Sequence, residues 1–403
     1  MTKHTKKLAA NFATSTASTG KGITGQAGMA LLTILLIVVA ITIVAGSMLA
    51  RQKVMIREYE LTKRQGEFKE YALAGESYAI SLIEKDSQLN QVDSLKDSWA
   101  KPLKPLTINQ AKVSVTLEDD AARFNINNLY HDGKVDEAAL AFFKALLEIN
   151  GLSPTIAMAV LDWQDPDADT SAEGGAEADF YQSTGKKTAM EIANQPFVSV
   201  DELQYVRGLD EASVATLKPY LTAVPYFLPM NVNTLKPPLL AALPLTASQL
   251  SAPKDQKPAP ATSRESSPAA FAASSTPNAE ISADTLAITD WANARINTPP
   301  LQALSDFWTT PIFASIDGSR RSTLEPLLDT HSRSFRVWVT VEADHKQLYL
   351  TSQIVKILPR TSSTSTPSAS AQAPIQAPIH SPSATTNEPQ VKAFNRQFLP
   401  YLP

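Results

Sequence analysis

The sequence predicts an α+β fold: a long N-terminal helix, first transmembrane and then amphipathic, a small antiparallel sheet, and a large all-α insertion of helical hairpins, SAM-like in order. Three observations predict it. An apolar run without a charge spans Gly28 to Leu49, alternating apolar and polar residues mark strands at 111–117 and 335–358, and capped helical segments fill the chain between them.

The apolar run comes first. Its roughly twenty residues suffice to cross a bilayer as one helix. A leader carrying Lys3, Lys6, Lys7 and Lys21, and no acid, precedes it. A secretory signal peptide places its small-residue cleavage motif after the apolar core. Here the small residues Ala27-Gly28 stand before the core, so a cut after Gly28 leaves the core on the mature protein, beginning at Met29. An ordinary signal anchor is the competing reading. Arg51, Lys53 and Arg57 follow the span as densely as lysines precede it, so charge does not orient it.

Helical spacing continues past the span through Phe68, Tyr71, Gly75, Tyr78 and Leu82, with no proline between Met29 and Ala100. One helix from Met29 to Asp86 would be about 87 Å long; two helices with a break near Gly66 are the alternative. Pro102 and Pro105 close the region. Ala111 to Leu117 alternates as a half-buried strand, and Asp119-Asp120 is expected to turn into a second strand over 122–126.

Helices are expected from Val135 to Ile149, from a Ser153-Pro154 start through Trp163, from a capping box at Ser199–Glu202, and from an Asp210 cap to Tyr220. A faint repeat links Asn125-Ile-Asn-Asn-Leu129 with Asn231-Val-Asn-Thr-Leu235. Its second copy is interrupted by a Pro/Ser/Ala linker over 246–284 and resumes at Asp290-Trp291. A hairpin follows, Phe335–Val341 and Leu348–Leu358 about a turn at Asp344-His345-Lys346. Residues 359–403 read as a Ser/Pro-rich disordered tail, with 394–402 as a short segment that docks on something unnamed.

Composition limits function. The 403 residues carry a net charge of -4, which leaves no electrostatic footprint for nucleic acid. There is no cysteine, and the five histidines form no metal-protease, nucleophile-elbow or phosphate-loop motif, so no enzyme is expected. The strongest local signal is Asp162-Trp-Gln-Asp165-Pro-Asp167-Ala-Asp169, with Gly174-Gly175-Ala176-Glu177 downstream. Carboxylates at alternate loop positions suit Ca²⁺, and the absence of Cys and His argues against Zn²⁺. Asp165, Asp167, Asp169 and Glu177 are the candidate ligands; the competing reading is a solvated acidic loop. Thr170 stands where an EF-hand loop has glycine. Asn150-Gly151-Leu152-Ser153 and Arg207-Gly208-Leu209-Asp210 resemble helix-hairpin-helix turns, but Ser153 and Asp210 replace the second glycine, which favours a packing role over DNA.

The Gly28 junction in front of an intact apolar core resembles the class III signal of type IV pilins and type II secretion pseudopilins. Thr33 stands where most pilins carry Glu, and its absence is characteristic of the K-type minor pseudopilin. The Asp-Trp-x-Asp-x-Asp then Gly-Ala-Glu loop, Asn-Ile-Asn-Asn-Leu and the helical insertion between pilin strands are similar to the same family over 28–358. The resemblance implies prepilin-peptidase cleavage after Gly28, methylation at Met29, calcium in the helical domain, and an inner-membrane, single-pass protein with a periplasmic bulk. It further implies a non-enzymatic subunit at the pseudopilus tip, with I- and J-type minor pseudopilins, further pseudopilins and the inner-membrane secretion platform as partners. The domains would then be a leader (1–28), an extended helix (29–100), first strands of a pilin-like sheet (101–128), a helical insertion (129–330), closing strands (331–358) and a tail (359–403). A type IV pilus or DNA-uptake minor pilin, and a membrane-anchored periplasmic enzyme, are the alternatives.

Overall fold

The computed structural model describes residues 23–171, 173–183, 192–249, 283–357 and 390–399. The chain divides into two units, Met1–Glu67 and Phe68–Pro403. Helix α1 (Ile23–Leu89) begins in the first and ends in the second, unbroken at Gly66. In the first unit the apolar residues from Met29 to Leu61 are exposed, and an 18-residue window reaches a mean hydropathy of 2.8 with none of it buried. This is one helix long and apolar enough to cross a membrane. The Thr33 hydroxyl donates to the Met29 and Ala30 carbonyls at 3.1 and 2.9 Å, so it is satisfied inside its own helix. Most of the leader lies outside the described residues.

In the second unit a five-stranded antiparallel sheet has the order β1 (Leu106–Ile108), β2 (Ala111–Asp119), β9 (Ser334–Ala343), β10 (Lys346–Ile357), β11 (Gln390–Leu399). Between β2 and β9 the chain forms β3 (Phe124–Asn125), β4 (Tyr130–His131), β5 (Lys134–Val135), α2 (Glu137–Ile149), α3 (Ile156–Gln164), α4 (Ala178–Ser183), α5 (Glu211–Leu217), β6 (Leu221–Thr222), β7 (Met230–Asn231), α6 (Pro237–Gln249), α7 (Ala283–Arg295), α8 (Leu304–Trp308), α9 (Gly318–Leu324) and β8 (Leu328–Asp329).

The α1 segment from Phe68 packs on the sheet through Ala72, Gly75, Ala79 and Ile83. The large residues expected to face the core, Phe68, Tyr71, Tyr78 and Leu82, flank this stripe half-buried. Small residues take the centre because helix and sheet approach closely: a Cβ on Gly75 would lie 2.6 Å from Val339 Cγ1. The β9–β10 hairpin turns at Asp344 and His345, both at positive φ (49° and 60°), as a two-residue turn with the strand twist requires.

Two expectations for the strands are corrected. Asp119-Asp120 does not turn β2 into a neighbouring strand; β2 pairs with β9, Asp119 opposite Phe335. Both carboxylates are instead drawn to distant groups. Asp119 accepts from Ala121 N, Thr234 Oγ1 and Ser332 Oγ, and Asp120 from Thr222 Oγ1 and Ser334 Oγ. Beyond them β3 is only two residues long and pairs parallel with β6, because the Asn125 side chain turns the chain by accepting from Asn127 N. Nor is all of 359–403 a disordered tail, since β11 is the fifth strand, paired from Gln390 to Leu399 along β10. Residues 358–389 and 400–403 lie outside the described set, as does most of the expected 246–284 linker; helix α6 extends through Gln249 and α7 starts at Ala283.

The helical part is a duplication. Met230–Asn231 pairs parallel with Leu328–Asp329 just as Phe124–Asn125 pairs with Leu221–Thr222. Asn127 brackets the Phe197 backbone, donating to its carbonyl at 2.9 Å and accepting its N–H at 2.8 Å. Asn233 brackets Leu301 in the same way, at 3.0 and 2.9 Å. The two copies share one apolar core that includes Phe124, Phe142, Phe143, Phe197, Phe307 and Phe313.

Candidate metal site in the helical part

Helix α3 ends at Gln164, and Asp165, its C-cap, donates its N–H to the Leu161 carbonyl. The Ser153-Pro154 start is shifted: Thr155 is the N-cap without a side-chain cap, and Ser153 bonds its hydroxyl instead. The acidic loop that follows is tied back by Asp162, which is fully buried. Its Oδ2 accepts Ala176 N at 2.7 Å and Ser171 N at 3.2 Å. Both neighbouring glycines are required: a Cβ on Gly175 would lie 2.5 Å from Asp162 Oδ2, and Gly174 has φ +105° against the Thr155 carbonyl.

The folded loop brings one carboxylate oxygen each from Asp165, Asp167 and Glu177 to within 4.8 Å of one another. Asp165 and Glu177 are buried, and Asp167 is exposed. Asp165 Oδ1 and both Glu177 carboxylate oxygens are buried without a hydrogen-bond partner among the described residues. Burial, then the charges of Asp167, Asp162 and Glu177, pushes the Asp165 carboxyl up to about 7. Burial and Asp162 raise Glu177 as well. Buried acceptors are seldom left orphaned, and orphaned oxygens on Asp165 and Glu177, in one group with an Asp167 carboxylate, make a set suited to a hard cation. Asp169, a predicted ligand, is not in this group; its side chain is exposed and its N–H donates to Asp167 Oδ1. The predicted processing residues Gly28 and Met29 both lie within α1.

Sequence reading places Arg207 in a hairpin turn and does not join it to the acidic loop, where the structure puts it. Arg207 donates Nη1 to the Gly175 carbonyl at 2.8 Å and its N–H to the Tyr181 hydroxyl, and lies over the Phe180 ring. The helix-hairpin-helix turn is therefore a packing device. Its Gly208, at φ +84°, abuts Ile156, and Asp210 caps α5 by accepting from Ser213 N. The basic side chain that would face a phosphate instead closes the acidic loop.

A second acidic group, Asp86, Asp93 and Asp97, gathers at the end of α1 and just beyond it, and sequence reading did not single it out. Asp93 accepts Lys356 Nζ at 2.6 and 2.5 Å and Ser332 N at 2.8 Å. This group already holds a cation of its own. His331, unplaced from sequence, pairs Nδ1 with Asp329 Oδ1 at 2.9 Å.

Comparison with known proteins follows the same residues. A family described as type II secretion system (T2SS), protein K, matches residues 122–226, which contain the whole acidic loop. The type II secretion system protein K of Klebsiella pneumoniae is 33% identical over 328 residues, covering 77% of this chain and 95% of the relative. The chain belongs to the type II secretion system protein K family. The family's Pseudomonas aeruginosa member is 34% identical over 230 residues, covering 54% of this chain and 68% of the relative. In fold, the chain is similar to a chain in the crystal structure of the GspK–GspI–GspJ complex from the enterotoxigenic Escherichia coli type 2 secretion system. The TM-score is 0.53 at 22% identity, covering 73% of this chain and 93% of that one.

Proposed function

We propose that the chain is the minor pseudopilin at the tip of a type II secretion pseudopilus, anchored in the inner membrane, where it initiates assembly with I- and J-type minor pseudopilins and aids export of folded proteins. The observation that carries this is an exposed apolar helix continuous in sequence with a helix packed on an antiparallel sheet, in a chain of the K family. An apolar helix with no buried face requires lipid or the helices of other subunits around it. Thr33 supports the tip position: its hydroxyl is spent on its own helix, so no carboxylate is offered to the terminal ammonium of a neighbour. The fold's likeness to a chain crystallised with two other components supports the same partners.

In this reading Asp165, Asp167 and Glu177 would hold Ca²⁺, with a structural role. The ion would supply the charge that the buried oxygens lack and would close the loop that joins α3 to α4. Co-expressing the full chain with its I- and J-type pseudopilins and purifying it in detergent tests the proposal. A stable ternary complex, with the mature chain starting at Met29 by mass spectrometry, is the expected result. Failure to assemble, or a start elsewhere, counts against it.

A further inference from the structure

The second copy borders a cavity whose charged lining is basic. Helix α7 of the second copy carries Trp291 and ends at Arg295. Arg295 stands on a cavity of about 130 Å³, well above the ~15 Å³ that one water needs. The cavity lies between the Ser94–Lys96 loop, the start of α6 and the end of α7. Its walls are mostly apolar, from Leu95, Leu235, Pro237 and Ile296 among others. Among the described residues its lining includes three basic ones, Lys96, Lys236 and Arg295, and no acid.

Lys236 is already occupied, donating Nζ to the Pro219 carbonyl at 2.7 Å. Arg295 Nη1 is buried and has no hydrogen-bond partner among the described residues. The guanidinium lies over the Trp291 ring at 4.8 Å, and burial alone pushes its pKa down to about 10. A half-buried guanidinium whose buried Nη1 has no partner among the described residues is costly in the isolated chain. A planar fork of donors on a half-apolar cavity is shaped for a carboxylate.

We infer that this cavity receives an acidic side chain, Asp or Glu, from a neighbouring minor pseudopilin, with Arg295 as its counter-ion. The inference rests on the partners proposed above. Charge complementarity selects the occupant: the lining offers basic groups and apolar walls.

The test uses the full chain in detergent with its I- and J-type partners, comparing wild type with Arg295→Met and Arg295→Glu. Arg295→Met keeps the stem against Trp291 and removes the uncompensated charge. It should raise the melting temperature of the chain alone and weaken the complex at least about tenfold, as loss of one partner of a buried ion pair does. Arg295→Glu should weaken the complex further, and reversing one acidic residue of a partner to Arg should restore it. Complex affinity within twofold of wild type in both variants would overturn the inference while leaving the proposed function intact. A lowered melting temperature for Arg295→Met would also overturn it, by showing that the guanidinium is paired within the chain. So would stabilisation of wild type, but not Arg295→Met, by millimolar succinate with unchanged complex affinity, which would assign the cavity to a small anion. Failure of the wild-type chain to assemble would remove both readings.

Discussion

Arg396 reaches across from the last strand to Glu76 on α1, donating Nε to both carboxylate oxygens at 3.0 and 2.7 Å over a sequence separation of 320 residues. Glu76 is nearly fully buried on the helix face that meets the sheet. A register shift opposite Thr351–Gln353 and a positive φ at Asn395 (51°) mark a bulge in β11 that aims Arg396 inward. The final strand thus supplies the counter-charge for a helix residue placed at the start of the domain.

Arg396→Ala should leave Glu76 buried and unpaired. The Arg396 side chain is 49% exposed, so water offsets part of the loss. A cost of about 1–3 kcal/mol is expected, read as a lower urea midpoint. Glu76→Gln combined with Arg396→Ala should recover most of it.

Gly75 and Gly66 make a matched pair on one helix. A side chain at Gly75 would run into Val339 and Val113, so Gly75→Val should cost at least about 1–3 kcal/mol through overpacking. Gly66 has open space around it, and Gly66→Ala should stabilise by up to about 1 kcal/mol through helix propensity. Thermal melts of the two variants should move in opposite directions.

Stability should fall as pH rises between about 4 and 8. Burial pushes the Asp119 carboxyl from 3.8 up to about 7. In that window the folded chain holds a proton that the unfolded chain has lost, and linkage then destabilises the fold with rising pH. His331 acts in the same direction: its hydrogen bond to Asp329 raises its pKa, so the stability it contributes is present below 6.5 and is lost as pH rises through the folded value. Asp119→Asn should flatten the slope between pH 4 and 7, and His331→Gln the slope above it, in denaturant melts at stepped pH.

Local chemistry was legible in the sequence wherever neighbours decide it. The capping box at Ser199 and Glu202 forms as read, with Glu202 Oε1 accepting the Ser199 N–H, and so does the Asp210 cap. The turn at Asp344-His345 and the Asn125/Asn231 echo were legible for the same reason. Contacts between remote segments were not. Asp119-Asp120 looks like a turn because its partners Thr234 and Ser332 stand far along the chain. Strand β11 alternates weakly, is mostly exposed, and follows a Ser/Pro-rich stretch, so its pairing with β10 left no hydrophobic pattern to read. In the candidate site, alternate spacing offers Asp165, Asp167 and Asp169, and the family resemblance puts Asp165, Asp167 and Glu177 ahead of Asp162 and Asp169. In the structure the Asp162 tether and Arg207 hold the 175–176 turn beside Glu177, which joins the group while Asp169 does not.

The acidic loop carries the central claim, that a cation completes the helical part. The most direct measurement is the melting temperature of the full chain in detergent, with calcium and with chelator, for wild type and for Asp165→Ala with Asp167→Ala. Calcium at a hundredfold excess over its Kd should stabilise wild type by about 2.7 kcal/mol, a shift of several degrees that the double variant does not show. Equal melting temperatures for wild type in calcium and in chelator, with no bound calcium by elemental analysis, would contradict the account.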